Sequence, residues 1–187
     1  MVQLSPEEKL IIMHKGTEAP FSGKYNEHDK KGTYLCKQCH TPLFWSTNKF
    51  ASGCGWPSFQ DAIPGAVHLS PDADGRRTEI TCNSCGWHLG HIFVGEQSNE
   101  QNVRHCVNSI SLYFTDDIIE KDYQTATLWW GCFWCLEAAF QQLQWVLEVR
   151  PGYAGWDAAY PTYEQVCQWK TTHAEVVQVF FDPTIID

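Results

Sequence analysis

Two turns of the same spacing, Cys36-x-x-Cys39 and Cys82-x-x-Cys85, constrain this chain more than any other feature. Each C-x-x-C turn presents two thiolates on one side of a tight loop, and zinc in a structural role takes four such ligands in a closed tetrahedron. The step from Cys39 to Cys82 is too long for a single finger, so a sheet has to bring the two turns together. We read the four as a structural Zn2+ site, with two local disulfides or four buried small side chains as the plain alternatives. That assignment leaves Cys54, between the turns, and Cys106, beyond them, free for thiol chemistry.

Composition narrows the setting. A formal charge of −9 over 187 residues argues against a phosphate-tracking surface, which needs a basic face; no nucleic-acid partner is expected. Nine cysteines is an odd number, so a purely disulfide-stapled secreted module would leave one unpaired. The segment Met1–Lys9 is polar and lacks the apolar core of a signal peptide. No window approaches the ~18 apolar residues of a membrane span, and no membrane partner is expected. A soluble, cytoplasmic protein follows, and in a reducing compartment a repeated C-x-x-C means metal more often than disulfide.

Ser5-Pro6-Glu7-Glu8 predicts a helix start, with Ser5 as cap, Pro6 in the first turn and Glu8 completing a capping box; Gly16 is its expected stop. Short strands are expected at Gly32–Cys36, Leu43–Trp45, Arg76–Cys82 and Trp87–Val94. Glu96–Asn102 reads as a polar loop. Asn102–Phe114 ends in alternation, with Ile110, Leu112 and Phe114 opposite Ser109, Ser111 and Tyr113. Residues 1–115 are therefore one mainly β domain of antiparallel sheets with a short N-terminal helix, and 116–124 an acidic linker. Beyond it, Thr125–Trp130 reads as a strand, Cys132–Leu147 as a helix stopped by Pro151-Gly152, and Ala174–Phe181 as a strand. Residues 125–187 thus read as an incomplete α/β (β-α-β) segment.

Within the first domain, strand alternation puts Arg104, Cys106 and Asn108 on one face. A guanidinium near a thiol favours the thiolate, the reactive form of cysteine, and Asn108 could orient a substrate or a water. His88 and His91, in His-Leu-Gly-His, are candidate proton carriers near neutral pH. Read alone, the histidines could equally be a metal pair or two surface residues, and Cys106 a packed strand cysteine.

Together the runs Ser52–Phe59, His88–Phe93, Arg104–Ser109 and Thr17–Phe21, with the two knuckles, resemble methionine sulfoxide reductase type B over residues 5–115. The resemblance implies that Cys106 attacks the sulfoxide sulfur of the R epimer, in free methionine or in proteins. His88 and His91 would supply protons, and Trp56 would form the wall for the substrate methyl group. Cys106 would become a sulfenic acid, Cys54 would resolve it as a disulfide, and a thioredoxin-like partner would reduce that bond. Two departures stand out: Val94 and Gly95 occupy positions where several relatives carry acidic residues, with Glu96 next, and His105 replaces the tyrosine often seen before the nucleophile.

In the tail, Cys132 follows a strand and opens a helix, where the helix dipole lowers a thiol's pKa; a thioredoxin-like C-x-x-C with Cys135 is the plain alternative. The runs Gly131–Cys135, Pro151–Gly155, Pro161–Tyr163 and His173–Val177 resemble the N-terminal part of methionine sulfoxide reductase type A. Carried over, Cys132 is the nucleophile for the S epimer, Phe133 and Trp134 hold the methyl group, and Tyr163 and Glu175 act on the sulfoxide oxygen. Trp130, Trp145, Trp156 and Trp169 stand where that family carries glycine, so strain is expected where the backbone needs positive φ. Catalysis is accordingly assigned to the first domain. The alternatives are a bifunctional R/S reductase, a zinc-ribbon-like binding module, and a tail whose tryptophans form an adhesive surface.

Overall fold

The computed structural model describes residues 4–97, 99–158 and 160–185; the polar start read at Met1-Val2-Gln3 and position 98 of the expected loop lie outside the described residues. The chain divides into two compact units, Met1–Glu120 and Lys121–Asp187. Within the segment read as a linker, Asp117 O accepts a bond from Thr33 Oγ1 and Ile119 O one from Trp45 Nε1. Gln124 already opens a strand of the second unit. No described helix is long and apolar enough to cross a membrane.

In the first unit α1 spans Pro6–Ile12 and begins as its sequence dictates. Ser5 Oγ accepts from Glu8 N at 3.2 Å and Glu8 Oε2 accepts from Ser5 N at 2.7 Å, which satisfies two of the otherwise orphaned amides. The helix ends before Gly16, whose amide still closes the turn on Leu10 O. Among the described residues nine strands follow: β1 (Thr33–Cys36), β2 (Pro42–Trp45), β3 (Lys49–Phe50), β4 (Ser58–Phe59), β5 (Val67–Pro71), β6 (Thr78–Cys82), β7 (His88–Val94), β8 (Val103–Val107) and β9 (Leu112–Thr115). They form antiparallel sheets in the orders β2-β1-β9 and β3-β4-β8-β7-β6-β5. The core between them includes Tyr34, Leu43, Phe44, Phe59, Ile80, Leu89 and Val107, with Phe44 stacked on Phe59 at 4.3 Å. Full burial of each such side chain contributes ~1.5–3 kcal/mol.

The expected alternation fails at Ser109–Ser111. These residues form a 3-10 turn that buries both serines and leaves Ile110 half-exposed. The serines are buried because they are bonded: Ser109 N donates to Glu18 Oε2 and Ser111 Oγ to His88 O. One rung positions the site. Glu79 (β6), His91 (β7), Cys106 (β8) and Ser58 (β4) are direct cross-strand neighbours, and such neighbours share a face of the sheet. Next to it a Cβ on Gly90 would lie 2.0 Å from Cys106 O, so only glycine lets β7 and β8 close.

The second unit comprises β10 (Gln124–Leu128), α2 (Phe133–Phe140), β11 (Val146–Ala154), α3 (Tyr163–Cys167) and β12 (Ala174–Phe181). The expected helix Cys132–Leu147 stops at Phe140, and Pro151-Gly152, read as its stop, lies inside β11. The sheet order is β10-β12-β11, all antiparallel. Because β11 is an edge strand, proline is tolerated there without losing a ladder partner on both sides. A strand and a short helix are thus inserted into the expected strand-helix-strand. A small core of Phe133, Val149, Val177 and Val179 holds the unit. Trp129, Trp130, Trp156 and Trp169 are exposed, while Trp145 packs edge-on against Phe181. Of the tryptophans at glycine-type positions, Trp169 alone sits at positive φ (+56°).

Candidate active site

The two C-x-x-C turns end β1 and β6 and converge. All four sulfurs of Cys36, Cys39, Cys82 and Cys85 lie within 4.8 Å of one another, a group that could hold a metal ion. The Cys36–Cys85 and Cys39–Cys82 separations are 3.6 Å. That is too long for an S–S bond of ~2.05 Å and close to the edge, roughly 3.8 Å, of a tetrahedron with 2.3 Å metal–sulfur bonds. Backbone amides of Gln38 and Cys39 point at Cys36, and those of Ser84 and Cys85 at Cys82. The hydrogen bond from Cys36 draws Cys82 down to about 5, while burial pushes Cys85 up to about 12. Four sulfurs crowded in this way cannot all ionise without a cation among them.

The remaining two thiols of this unit also meet. Cys106 Sγ lies 3.9 Å from Cys54 Sγ. Cys54 receives Ser52 Oγ at 3.0 Å and Arg104 Nη1 at 3.3 Å, with Ser58 Oγ at 3.4 Å. Arg104 is itself clamped by Glu96 at 2.7 and 3.0 Å and stacked on Phe93. Glu96, one residue beyond Gly95, supplies the carboxylate on Arg104. The sequence expectation that Arg104 chiefly favours a Cys106 thiolate is modified here. Burial, then the negative charge of Cys54, pushes Cys106 up to about 12, and Arg104 only opposes them. For Cys54 burial also raises the pKa, but the Ser52 and Ser58 hydrogen bonds and Arg104 outweigh it and hold it below the usual thiol value.

A cavity of about 180 Å³ opens over Cys106, lined among others by Trp56, His91, Phe93 and Asn108. Trp56 is fixed by Nε1 donating to Glu18 O at 2.9 Å. Asn108 accepts from Glu18 N and donates to Leu89 O; its amide is engaged with main chain and ties the Glu18 segment to β8. His91 Nε2 is 2.5 Å from Asp72 Oδ2. The His91 hydrogen bond holds the Asp72 carboxyl below its usual range, so it accepts and Nε2 carries the proton, leaving Nδ1 as the other reactive nitrogen. His88 is buried, with Nδ1 2.7 Å from Glu79 Oε1, and Glu79 Oε2 pairs with Lys15. Burial lowers the His88 pKa despite Glu79, and its Nε2 is buried with no partner among the described residues. The two imidazoles are 5.5 Å apart. Sequence reading missed Glu79, Asp72 and the anchoring role of Glu18. The signal for Glu79 was a carboxylate beside Ile80 within the expected strand that ends at Cys82, where a carboxylate is buried only when paired. His105 faces the core, on Phe59 O and against Phe44.

In the second unit Cys132 is the exposed N-cap of α2, and the Cys135 amide and thiol lower its pKa. Phe133 is buried, and Trp134 stacks on Tyr163 at 5.5 Å. Glu175 accepts from Phe133 N at 3.3 Å and from Cys167 Sγ at 3.6 Å. The structure thus gathers all five tail residues named from the sequence.

Comparison with known proteins follows the same division. The SelR domain model matches residues 4–116, and the model for Peptide methionine sulfoxide reductase matches residues 124–187. "Peptide methionine sulfoxide reductase B2, chloroplastic" of Arabidopsis thaliana is 56% identical over 115 residues, 61% of this chain and 57% of that protein. "Peptide methionine sulfoxide reductase B5" of Oryza sativa subsp. japonica is 55% identical over 113 residues, 60% of this chain and 83% of that protein. The match to this chain thus spans a little over half of the first relative and most of the second. Through residues 4–116 the chain belongs to the SelR family, the type B methionine sulfoxide reductases, and is an enzyme of that class, followed by a segment of the type A kind.

Proposed function

We propose that residues 1–115 reduce methionine-R-sulfoxide, peptide-bound or free, with Cys106 as nucleophile and Cys54 as resolving thiol, and that residues 125–187 are a partial type A domain. The carrying observation is the 3.9 Å approach of the two sulfurs at a cavity walled by Trp56. Cys106 sulfur attacks the sulfoxide sulfur while the oxygen is protonated, and His91, which lines the cavity, is placed to deliver that proton. His88 would relay protons from behind it. Methionine leaves, and the oxygen stays on Cys106 as a sulfenic acid. Cys54 displaces it, so that one sulfoxide and two thiols become one thioether, one disulfide and one water. A thioredoxin-like dithiol then takes up the disulfide by exchange.

The Cys106 proton has a destination in the resting site. Burial holds the Cys106 thiol well above the usual range, so it keeps its proton at pH 7, whereas the neighbouring Cys54 carries the more acidic sulfur. We assign Cys54 a second duty as the base that accepts the Cys106 proton. The R epimer is assigned from the type B resemblance. For the Cys36, Cys39, Cys82 and Cys85 cage we assign Zn2+, whose preference for four sulfurs in a tetrahedron fits the separations. Bound there it would cross-link the two sheets and take no part in the chemistry. A reducing compartment such as the cytoplasm suits a chain whose work needs free thiols.

Purified chain assayed with dithiothreitol on the separated epimers should consume the R form. Cys106→Ser should abolish that turnover, a loss of at least ~10³-fold, and full activity in that variant would remove Cys106 as nucleophile. The gathering of Cys132, Tyr163 and Glu175 favours a second reading, a bifunctional R/S reductase. S-epimer turnover that vanishes in Cys132→Ser would establish it.

A further inference from the structure

We propose that a second cavity beside the thiol site is a specificity subsite for a large apolar side chain adjoining the oxidised methionine of a polypeptide. This rests on the reductase reading and concerns what flanks the reacting residue. The cavity is about 460 Å³, within the ~300–1,000 Å³ of pockets that enclose a ligand. The one over Cys106, about 180 Å³, suits only the end of one side chain. Trp56 lines both, so a substrate reaching Cys106 past the indole brings its neighbouring residue to the larger cavity.

Phe21 is the telling residue of that lining. Its φ is +63°, a left-handed conformation that costs a bulky residue ~1–3 kcal/mol, yet 67% of it is exposed. Its amide donates to Gly55 O at 2.8 Å, which pins the strained residue to the turn between Cys54 and Trp56. That bond holds the phenyl ring, largely exposed, in the wall of the cavity. The main chain supplies an independent observation. β3 is the edge of its sheet, and Lys49, Phe50 and Ala51 line the cavity. With no partner strand outside β3 among the described residues, an extended polypeptide can lie along it. The cavity's charged residues set Glu27 and Asp29 against Lys30 and Lys49, so no net sign selects a charged neighbour.

The test uses the full chain and R-epimer probes: N-acetyl-methionine sulfoxide amide, and pentapeptides with the sulfoxide flanked on both sides by Phe or by Ser. We expect kcat/KM about tenfold higher for the Phe-flanked peptide. Phe21→Gly, which suits the backbone, should erase that preference and leave turnover of the amide unchanged, and Phe21→Leu should retain most of it. Equal turnover of the two peptides by wild type would overturn the subsite. So would a preference that survives Phe21→Gly, or a loss on the amide equal to that on the peptides. Wild type inactive on all three probes would instead sink the reductase reading.

Discussion

The two units each set a cysteine among aromatic side chains with a glutamate close by, and they treat the sulfur in opposite ways. In the first, Cys106 is held within β8, its pKa raised to about 12 chiefly by burial, with Cys54 3.9 Å away. In the second, Cys132 stands in solvent at a helix start, with Cys135 and Cys167 exposed as well. Its pKa is lowered by local backbone amides and Cys135. One site is built from long-range sheet pairing braced by a four-sulfur cage, the other from a short turn on a small three-stranded sheet. A buried thiol needs a partner to take its proton; an exposed one at a helix start is helped to ionise by the amides beside it.

The cage gives the largest expected difference between the units. Structural zinc in finger peptides contributes about 10–16 kcal/mol to folding. Chelation, or Cys36→Ser, should therefore unfold the first unit, while amide exchange in β10, β11 and β12 stays slow. Loss of protection in both units together, or in neither, would break the contrast.

The thiol pair gives the next. In wild type the pair loses its first proton below the usual thiol range because Cys54 holds the anion. A thiolate is lost as pH falls through its pKa. In Cys54→Ser the only thiol left at the site is Cys106, still raised by burial. Its single-turnover rate should then fall at pH 7 and its pH profile should move to the alkaline side. Stopped-flow measurement of methionine release reads this; an unchanged or acid-shifted profile removes Cys54 as the base.

Much of this contrast could be read from the chain. The capping box at Ser5 and Glu8, the paired knuckles and β12 are signalled by residue type and spacing alone, which are local. What could not be read depends on distant partners. Leu147 continues the helical spacing of Leu136 and Leu143, and only pairing with β12 makes Val146–Ala154 a strand, whose place at a sheet edge tolerates Pro151. Ser109 and Ser111 are polar by composition and buried by bonds to Glu18 and His88. Glu79, Asp72 and Glu96 act through pairs 8–19 residues away in sequence, and no periodicity marks such pairings. The Arg104 guanidinium donates to Cys54, where alternation suggests its strand neighbour Cys106, because the loop carrying Cys54 brings that sulfur to it.

The smallest expected effect concerns the tail's backbone. Trp169 is 90% exposed at φ +56°, and Trp169→Gly should stabilise the second unit by ~1 kcal/mol, seen as a higher denaturant midpoint for its strands alone. A lower midpoint would mean the indole packs in a way that outweighs its backbone strain.

The sharing of labour among the sulfurs is tested most directly by stoichiometric oxidation. Reduced chain is mixed with one equivalent of methionine-R-sulfoxide without reductant, quenched with acid, and its sulfurs are mapped by mass spectrometry. One methionine should form per new Cys54–Cys106 bond, with Cys36, Cys39, Cys82 and Cys85 unoxidised. Methionine release accompanied by oxidation within that quartet, or with Cys106 still a free thiol, would contradict it.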